Sequence, residues 1–422
     1  MKTTDIAIYT LTSPLHDEKE INAATQAFLS SLGIEYDMKG DDFAEYGSHT
    51  LDLIYIRTGG TEGRFLQRLP QLRQQADGRP FLLLTSGKSN SLAASMEILS
   101  YLRQQGIGGE IIHGSADYIS QRIQLLHRVE LALKTLKGCR LGIVGKPSDW
   151  LISSSYDSDI IAQRLGIEMV EIEMKELQDI IDKTPEETAN IQQRLRVGEQ
   201  SSGMPSPNTQ HLSPNTQITN ALPGANRIHQ ALKTLVERHR LQGFTIRCFD
   251  LLSSHHNTGC LALARLNADG IVSGCEGDVP ALLSMTIAQA LLGVPGFQAN
   301  PARIDVETGE MLVAHCTIPL NMVERYELLT HFESGIGVGI RGYMKEGDVT
   351  LFKVSGDLSR HFVEEGTLVR NETSAGLCRT QLAVELSDKR KAEYFLKEPI
   401  GNHHIVVAGH HKQLFERLLA RI

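Results

Sequence analysis

The segment Gly274-Cys275-Glu276-Gly277-Asp278 places two carboxylates directly after the apolar run Ile271-Val272. In α/β sheets, ligands bind where strands end at their carboxyl side. Carboxylates there can hold a metal ion or move a proton. Asp278 also precedes Pro280, so its plainer reading is a helix N-cap. Three later segments carry further donors. Phe297-Gln298-Ala299-Asn300-Pro301 offers an amide, although Asn before Pro alone reads as a turn. His315-Cys316-Thr317 follows an apolar run, where a lone His is usually structural. Gly401-Asn402-His403-His404 pairs two imidazoles, which bind metals in their neutral form. With 16 His in the chain, accidental pairs such as His255-His256 are expected too.

Other motifs exclude chemistry. Gly142-Ile143-Val144-Gly145-Lys146 has neither the dinucleotide spacing nor the phosphate-loop ending. No nucleophile elbow and no H-E-x-x-H occur. Lys146-Pro147-Ser148-Asp149-Trp150 follows a strand pattern, where ligand-contacting loops belong. Trp150 is the only Trp; it could stack on a sugar face or pack beneath the loop. The six Cys form no C-x-x-C pair, so neither a zinc knuckle nor a disulfide framework is suggested. Reduced thiols and a start without a secretory pattern predict a cytoplasmic protein. A net charge of −8 gives no footprint for nucleic acid or an anionic membrane. No apolar run reaches the length of a spanning helix.

Three sets of elements must position these residues. Short apolar runs at Ile6-Tyr9, Leu53-Ile56, Phe81-Leu84 and Ile111-His113, with helical stretches such as 92–102, predict a parallel sheet with helices on its faces. A second cycle starts near Cys139, with strands at 140–144, 169–172, 244–249 and 270–273 and a helix over 281–292. From Glu310 the pattern becomes β with Gly turns, as in a small antiparallel barrel. The expected fold class is therefore α/β: two Rossmann-like parallel-sheet domains, then a C-terminal antiparallel β-barrel-like domain. The expected bounds are 1–136, 137–305 and 306–422. Ser201 to Asn226, rich in Ser, Pro and Asn, reads as an irregular insertion in the second domain (201–226).

Taken together, these groups resemble the L-fucose isomerase and L-arabinose isomerase superfamily. The resemblance covers the domain order and most of the chain from about residue 50. Thr58-Gly59-Gly60-Thr61-Glu62 and Ile246-Arg247-Cys248-Phe249-Asp250 are similar to family segments, as are the four donor segments. The resemblance implies aldose–ketose isomerisation through an enediolate, with Mn²⁺ or a similar divalent ion. The ion would stabilise the sugar oxygens, and a carboxylate would shuttle the proton. Mixed carboxylate, amide and imidazole donors suit Mn²⁺ or Co²⁺.

By residue, the resemblance implies Glu276 as ligand and base, with Asp278 as a further catalytic candidate. His315 and either His403 or His404 would be metal ligands. Asn300 stands where the family has a second carboxylate; an amide can ligate but cannot act as a base. Asp305 could replace the missing acid only if its loop folds back, and otherwise reads as a turn acid. Thr61, Glu62, Lys146 and Trp150 are candidate substrate contacts. The implied partner is a small-molecule sugar (a pentose, a deoxyhexose or a modified hexose). A homo-oligomer, trimer or hexamer, is implied as well. Two alternatives follow from Asn300: an epimerase or other enediolate chemistry, or a non-catalytic intracellular sugar-binding protein.

Overall fold

The computed structural model describes residues 5–185 and 216–422. The chain forms two compact units, Met1–Lys134 and Thr135–Ile422. The first unit holds β1 (Ile6–Leu11), α1 (Glu18–Ser31), β2 (Asp37–Gly40), β3 (Leu51–Ile56), α2 (Glu62–Ala76), β4 (Phe81–Leu84), α3 (Ser91–Gln104), β5 (Gly109–Ile112) and α4 (Ala116–Leu136). Its sheet is parallel, in the order β2-β1-β3-β4-β5. Alternate residues of each strand enter opposite layers. Ala7, Tyr9, Ile54 and Ile56 pack with Phe65 and Leu72 of α2 and Ile98 of α3. Ile8, Leu53 and Tyr55 pack with Leu29 of α1 and Ile119 and Ile123 of α4. Burial on both faces is why these strands read as unbroken apolar runs.

The second unit starts with another parallel sheet, β7-β6-β8-β9. Its elements are β6 (Arg140–Val144), α5 (Ser158–Leu165), β7 (Glu168–Ile172), α6 (Met174–Lys183), α7 (Thr216–His239), β8 (Gly243–Ile246), α8 (Asp250–His255), α9 (Cys260–Ala268), β9 (Val272–Cys275) and α10 (Val279–Leu292). Strands β10 (Phe297–Ile304), β11 (Glu310–His315), β14 (Gly347–Val354), β15 (His361–Asn371), β16 (Thr380–Leu386) and β17 (His404–Ala408) then close an antiparallel barrel. Strands β12 (Arg325–Leu329) and β13 (Gly339–Tyr343) form a separate ribbon. Helix α11 (Tyr394–Lys397) precedes β17, and α12 (Lys412–Leu419) ends the chain. Phe297, Val313, Leu351, Leu382 and Val406 fill the barrel. Helix α10 is buried on nearly every side and touches β8, β9, β14 and β17. It therefore ties the parallel sheet to the barrel, and the two make one unit. Both Rossmann-like sheets and the C-terminal barrel match the expected fold class.

Three local expectations change. Residues 297–301 form no turn; they belong to β10, so the barrel begins upstream of residue 306. Pro301 is accommodated at a register shift in β10, where a missing N–H costs no ladder bond. Residues 216–226 of the expected irregular insertion begin α7. Ile218, Ala225, Ile228 and Leu232 are buried at helical spacing there, which the polar composition hides. Residues 201–215 of that insertion lie outside the described residues. No helix among the described residues is long and apolar enough to cross a membrane.

Candidate metal centre

In the second sheet, β6 runs parallel to and between β7 and β8, so the strand order reverses across it. That switch opens a crevice at the carboxyl ends of the strands. The turn after β9 enters this region with Glu276 and Gly277 both at positive φ, 67° and 71°. For a non-Gly residue this conformation costs about 1–3 kcal/mol and is found at functional sites. A Cβ on Gly277 would lie 2.7 Å from Lys146 O and 2.8 Å from Pro147 Cα. The loop after β6 therefore rests directly on the turn, and Ser148 N donates to Glu276 O at 2.9 Å. This stacking delivers Trp150. Its Nε1–H donates to Glu276 Oε2 at 2.7 Å, and its ring meets Phe249, which follows β8, edge-on at 4.8 Å.

The barrel supplies two imidazoles. His315 ends β11, and its Nε2 lies 3.5 Å from Glu276 Oε1. His403 immediately precedes β17, and its Nε2 lies 3.6 Å from the same oxygen. The rings are 5.3 Å apart at 77°. One donor atom from each of Glu276, His315 and His403 falls within 4.8 Å of the others, and all three residues are buried. Each imidazole is held from behind through Nδ1: His315 by Thr317 Oγ1 at 2.9 Å, His403 by Asp278 Oδ2 at 2.8 Å. A carboxylate fixes the Nδ1–H tautomer and leaves the Nε2 lone pair forward, as in metal-binding histidines. His403 Nε2 is buried and has no hydrogen-bond partner. An orphaned buried nitrogen facing a carboxylate and a second imidazole fits a cation.

The electrostatics follow from these contacts. Burial pushes the Glu276 carboxyl up, but His315 and His403 outweigh it and hold it well below the usual carboxylate range. Burial likewise raises Asp278, and Lys353 with His403 brings it down to about 2. Burial lowers His403, yet Asp278 and Glu276 lift it to about 9. Two ionised carboxylates thus face the protonated His403 and the buried amine of Lys353, which burial pushes down.

The other expected residues are placed as follows. His404 does not join the cluster: Nδ1 donates to Asn402 O at 3.1 Å and Nε2 accepts from Tyr394 OH at 3.0 Å. Burial pushes it down to about 3, so it is neutral. Asp278 is fully buried, caps α10 through Ala281 N and holds His403, which leaves it no open face. Asn300 Oδ1 accepts from Asn402 Nδ2 at 2.9 Å, one residue from His403. Asp305 accepts from Glu307 N and Thr308 N in the β10–β11 turn. Lys146 is mostly exposed and pairs with Asp149 at 3.3 Å. Thr61 and Glu62 lie in the first unit, where the buried Thr61 donates to Thr58 O.

Four residues near the cluster were not among the expected site residues. Lys353 sits in a barrel strand, and its Nζ is 3.6 Å from Asp278 Oδ1. Gln298 accepts from Cys275 N at 2.9 Å and so braces the strand leading to Glu276. Phe249 carries Trp150 on one side and meets the ring of His331 at 5.6 Å. Burial lowers His331, so it is a neutral imidazole beside this wall. Gln298 and Phe249 lie inside the segments 297–301 and 246–250 noted in the sequence, whereas Lys353 and His331 stand in no motif.

No family model matches the chain. It is 23% identical over 274 residues to a sulfoquinovose isomerase of Priestia aryabhattai, covering 63% of this chain and 59% of that protein. It is 26% identical over 201 residues to a sulfoquinovose isomerase of Clostridium sp. (strain MSTE9), covering 46% and 42%. A third, from Alkalicoccus urumqiensis, is 22% identical over 273 residues. The chain is thus a distant relative of proteins named as sugar isomerases, and it spans about three fifths of the length of the first of them.

Proposed function

We propose that the protein is a divalent-metal-dependent aldose–ketose isomerase. The observation that carries this reading is the convergence of Glu276, His315 and His403, with the orphaned Nε2 of His403 among them. Glu276 Oε1 and the two Nε2 atoms would hold the ion. Asn300 is the neutral fourth donor in this reading, and Mn²⁺ is the first ion to test. When bound, the ion supplies Lewis-acid stabilisation of the negative charge that develops on the sugar oxygens.

The chain's own residues do the rest. Moving a carbonyl between neighbouring carbons requires taking a carbon-bound proton and returning it one carbon away. Glu276 is ionised and therefore able to accept that proton. Trp150 holds Oε2 by its N–H and keeps the carboxylate in one orientation. Asp278 serves as the positioning residue of His403 and takes no proton itself, since its oxygens are committed. His331, neutral and beside Phe249, is the candidate for a second proton-carrying group. Trp150 and Phe249 offer the apolar wall against which a sugar face can lie. His404 has no role in this chemistry.

The substrate class is a small sugar: a pentose, a deoxyhexose or a modified hexose. Sulfoquinovose heads the screen because the relatives carry its name. A homo-oligomeric assembly belongs to the same proposal, and light scattering tests it. The decisive experiment pairs metal analysis with product NMR in deuterated water, for wild type and Glu276→Gln. Wild type should bind one divalent ion per chain and incorporate deuterium at the carbon next to the new carbonyl; the variant should do neither. Failure of the wild type to bind any divalent ion would overturn the reading.

A further inference from the structure

A cavity of about 350 Å³ lies beside the Asp278–Lys353 pair and contains none of the three cluster residues. Its walls are the β6–α5 loop (153–157), the β14–β15 turn (355–360) and the segment 399–401 leading to His403. The walls are preformed. Tyr156 and Gly356 pair by a backbone bridge, and Asp157 N donates to Gly356 O at 3.2 Å. A Cβ on Gly356 would lie 2.1 Å from Ser155 O, so only glycine permits this approach.

Lys353 lines the cavity. Its side chain is 1% exposed, and Nζ makes no hydrogen bond; Asp278 Oδ1 stands off at 3.6 Å. A lysine amine carries N–H donors in either protonation state, and leaving them unmet in a buried place is costly. Something in the cavity must accept from it. Two observations define that acceptor. The lining carries two basic side chains, Lys353 and Arg360, and two carboxylates, Asp157 and Asp357. A charged ligand of either sign would face a like-charged pair, so a neutral ligand fits. Hydroxyls of Ser153, Ser154, Ser355 and Ser359 intersperse the charges. Closely mixed donors and acceptors match a molecule whose groups do both, which means several hydroxyls. The volume accommodates one six-carbon molecule.

We propose that this cavity is a binding site for a neutral polyol, an alditol or a monosaccharide, separate from the metal cluster. It does not rest on the isomerase reading. The test uses sorbitol with EDTA-treated Glu276→Gln protein, in which the cluster is silenced. Calorimetry should show saturable binding of one sorbitol per chain. Arg360→Met, at an exposed position, should weaken it at least tenfold, and Lys353→Met should abolish it. A crystal soaked in sorbitol should show it against Lys353. Absence of saturable sorbitol binding would overturn the proposal, and so would binding unchanged in Arg360→Met. Saturable binding of inorganic phosphate in place of sorbitol would overturn the neutral assignment as well.

Discussion

The indole N–H of Trp150 donates to Oε2 of Glu276 at 2.7 Å, while Oε1 of the same carboxylate faces His315 and His403. The two oxygens are thus divided between the parallel-sheet loop and the barrel. Trp150 is also the chain's only Trp. Any ion taken up by Oε1 acts on a carboxylate that touches the chain's only indole. Mn²⁺ should therefore quench the Trp emission excited at 295 nm saturably, with an end point at about one equivalent per chain. Glu276→Gln should remove the saturable phase. A wild-type emission that stays flat through several equivalents would count against a metal at Glu276.

Trp150→Phe isolates the hydrogen bond, because the ring can still rest on Phe249. A hydrogen bond to a charged group is worth about 1.5–3 kcal/mol. If it holds Glu276 in its working orientation, kcat/KM should fall about tenfold or more, since each 1.4 kcal/mol is tenfold. The half-exposed indole carries little of the core, so the melting temperature should barely move. Steady-state kinetics beside a thermal melt separates the two effects; unchanged kinetics would make Trp150 a packing residue only.

The same pair shows what the sequence could and could not say. Glu276 was visible because an apolar run ends beside it, and periodicity reads strand ends well. His315 was visible for the same reason, and His403 because two imidazoles stand side by side in Gly401-Asn402-His403-His404. The choice between His403 and His404 was not, because adjacent residues near a strand point to opposite faces and only the barrel's register decides which faces Glu276. Lys353 was hidden in an otherwise apolar strand, where a lysine reads as an edge or a solvent face. Its role appears only when β14 is closed against α10. Strands β15 and β16 escaped detection because their barrel-facing residues alternate with Glu, Arg and Gln. The Trp150–Glu276 contact joins residues far apart in the chain, through a turn that requires Gly277.

Gly277→Ala tests that turn. The residue sits at φ 71°, and an added Cβ would strike the Lys146–Pro147 backbone. Ala is strained at positive φ, and backbone cannot yield as a flexible side chain can. The expected outcome is a displaced 146–150 loop, a red-shifted Trp150 emission and a loss of activity exceeding tenfold. Far-ultraviolet circular dichroism should stay native. A variant with wild-type emission and rate would show that the loop does not depend on this glycine.

Asp278→Asn removes a charge that two buried partners share. Lys353 would lose the counter-charge at 3.6 Å, and breaking a buried pair by removing one partner costs about 3–5 kcal/mol. His403 would lose the carboxylate that sets its tautomer, and such outer partners are worth about 10–100-fold in metal affinity. Chemical denaturation and Mn²⁺ titration should both register the change. Stability lost with metal affinity intact would confine Asp278 to a structural role.

Protonation of His403 links stability, metal and pH. Its folded pKa is raised to about 9, against about 6.5 when unfolded. A raised value means that the bound proton favours the folded state. This contribution, on the order of 3 kcal/mol, is fully present below pH 6.5 and is lost as pH rises through about 9. His404 has the opposite sign: burial lowers it to about 3, so its neutral form is favoured and stability falls as pH drops below about 6.5. For these two groups, the metal-free protein should be most stable near pH 6.5. A metal at Nε2 of His403 must displace the proton, so its affinity should climb with pH across the same window. Melting curves at pH 6, 7, 8 and 9, with EDTA or with Mn²⁺, check this. The EDTA series should decline toward pH 9, and the gain from Mn²⁺ should widen steadily from pH 6 to 9. A gain independent of pH would mean that the ion binds elsewhere than His403.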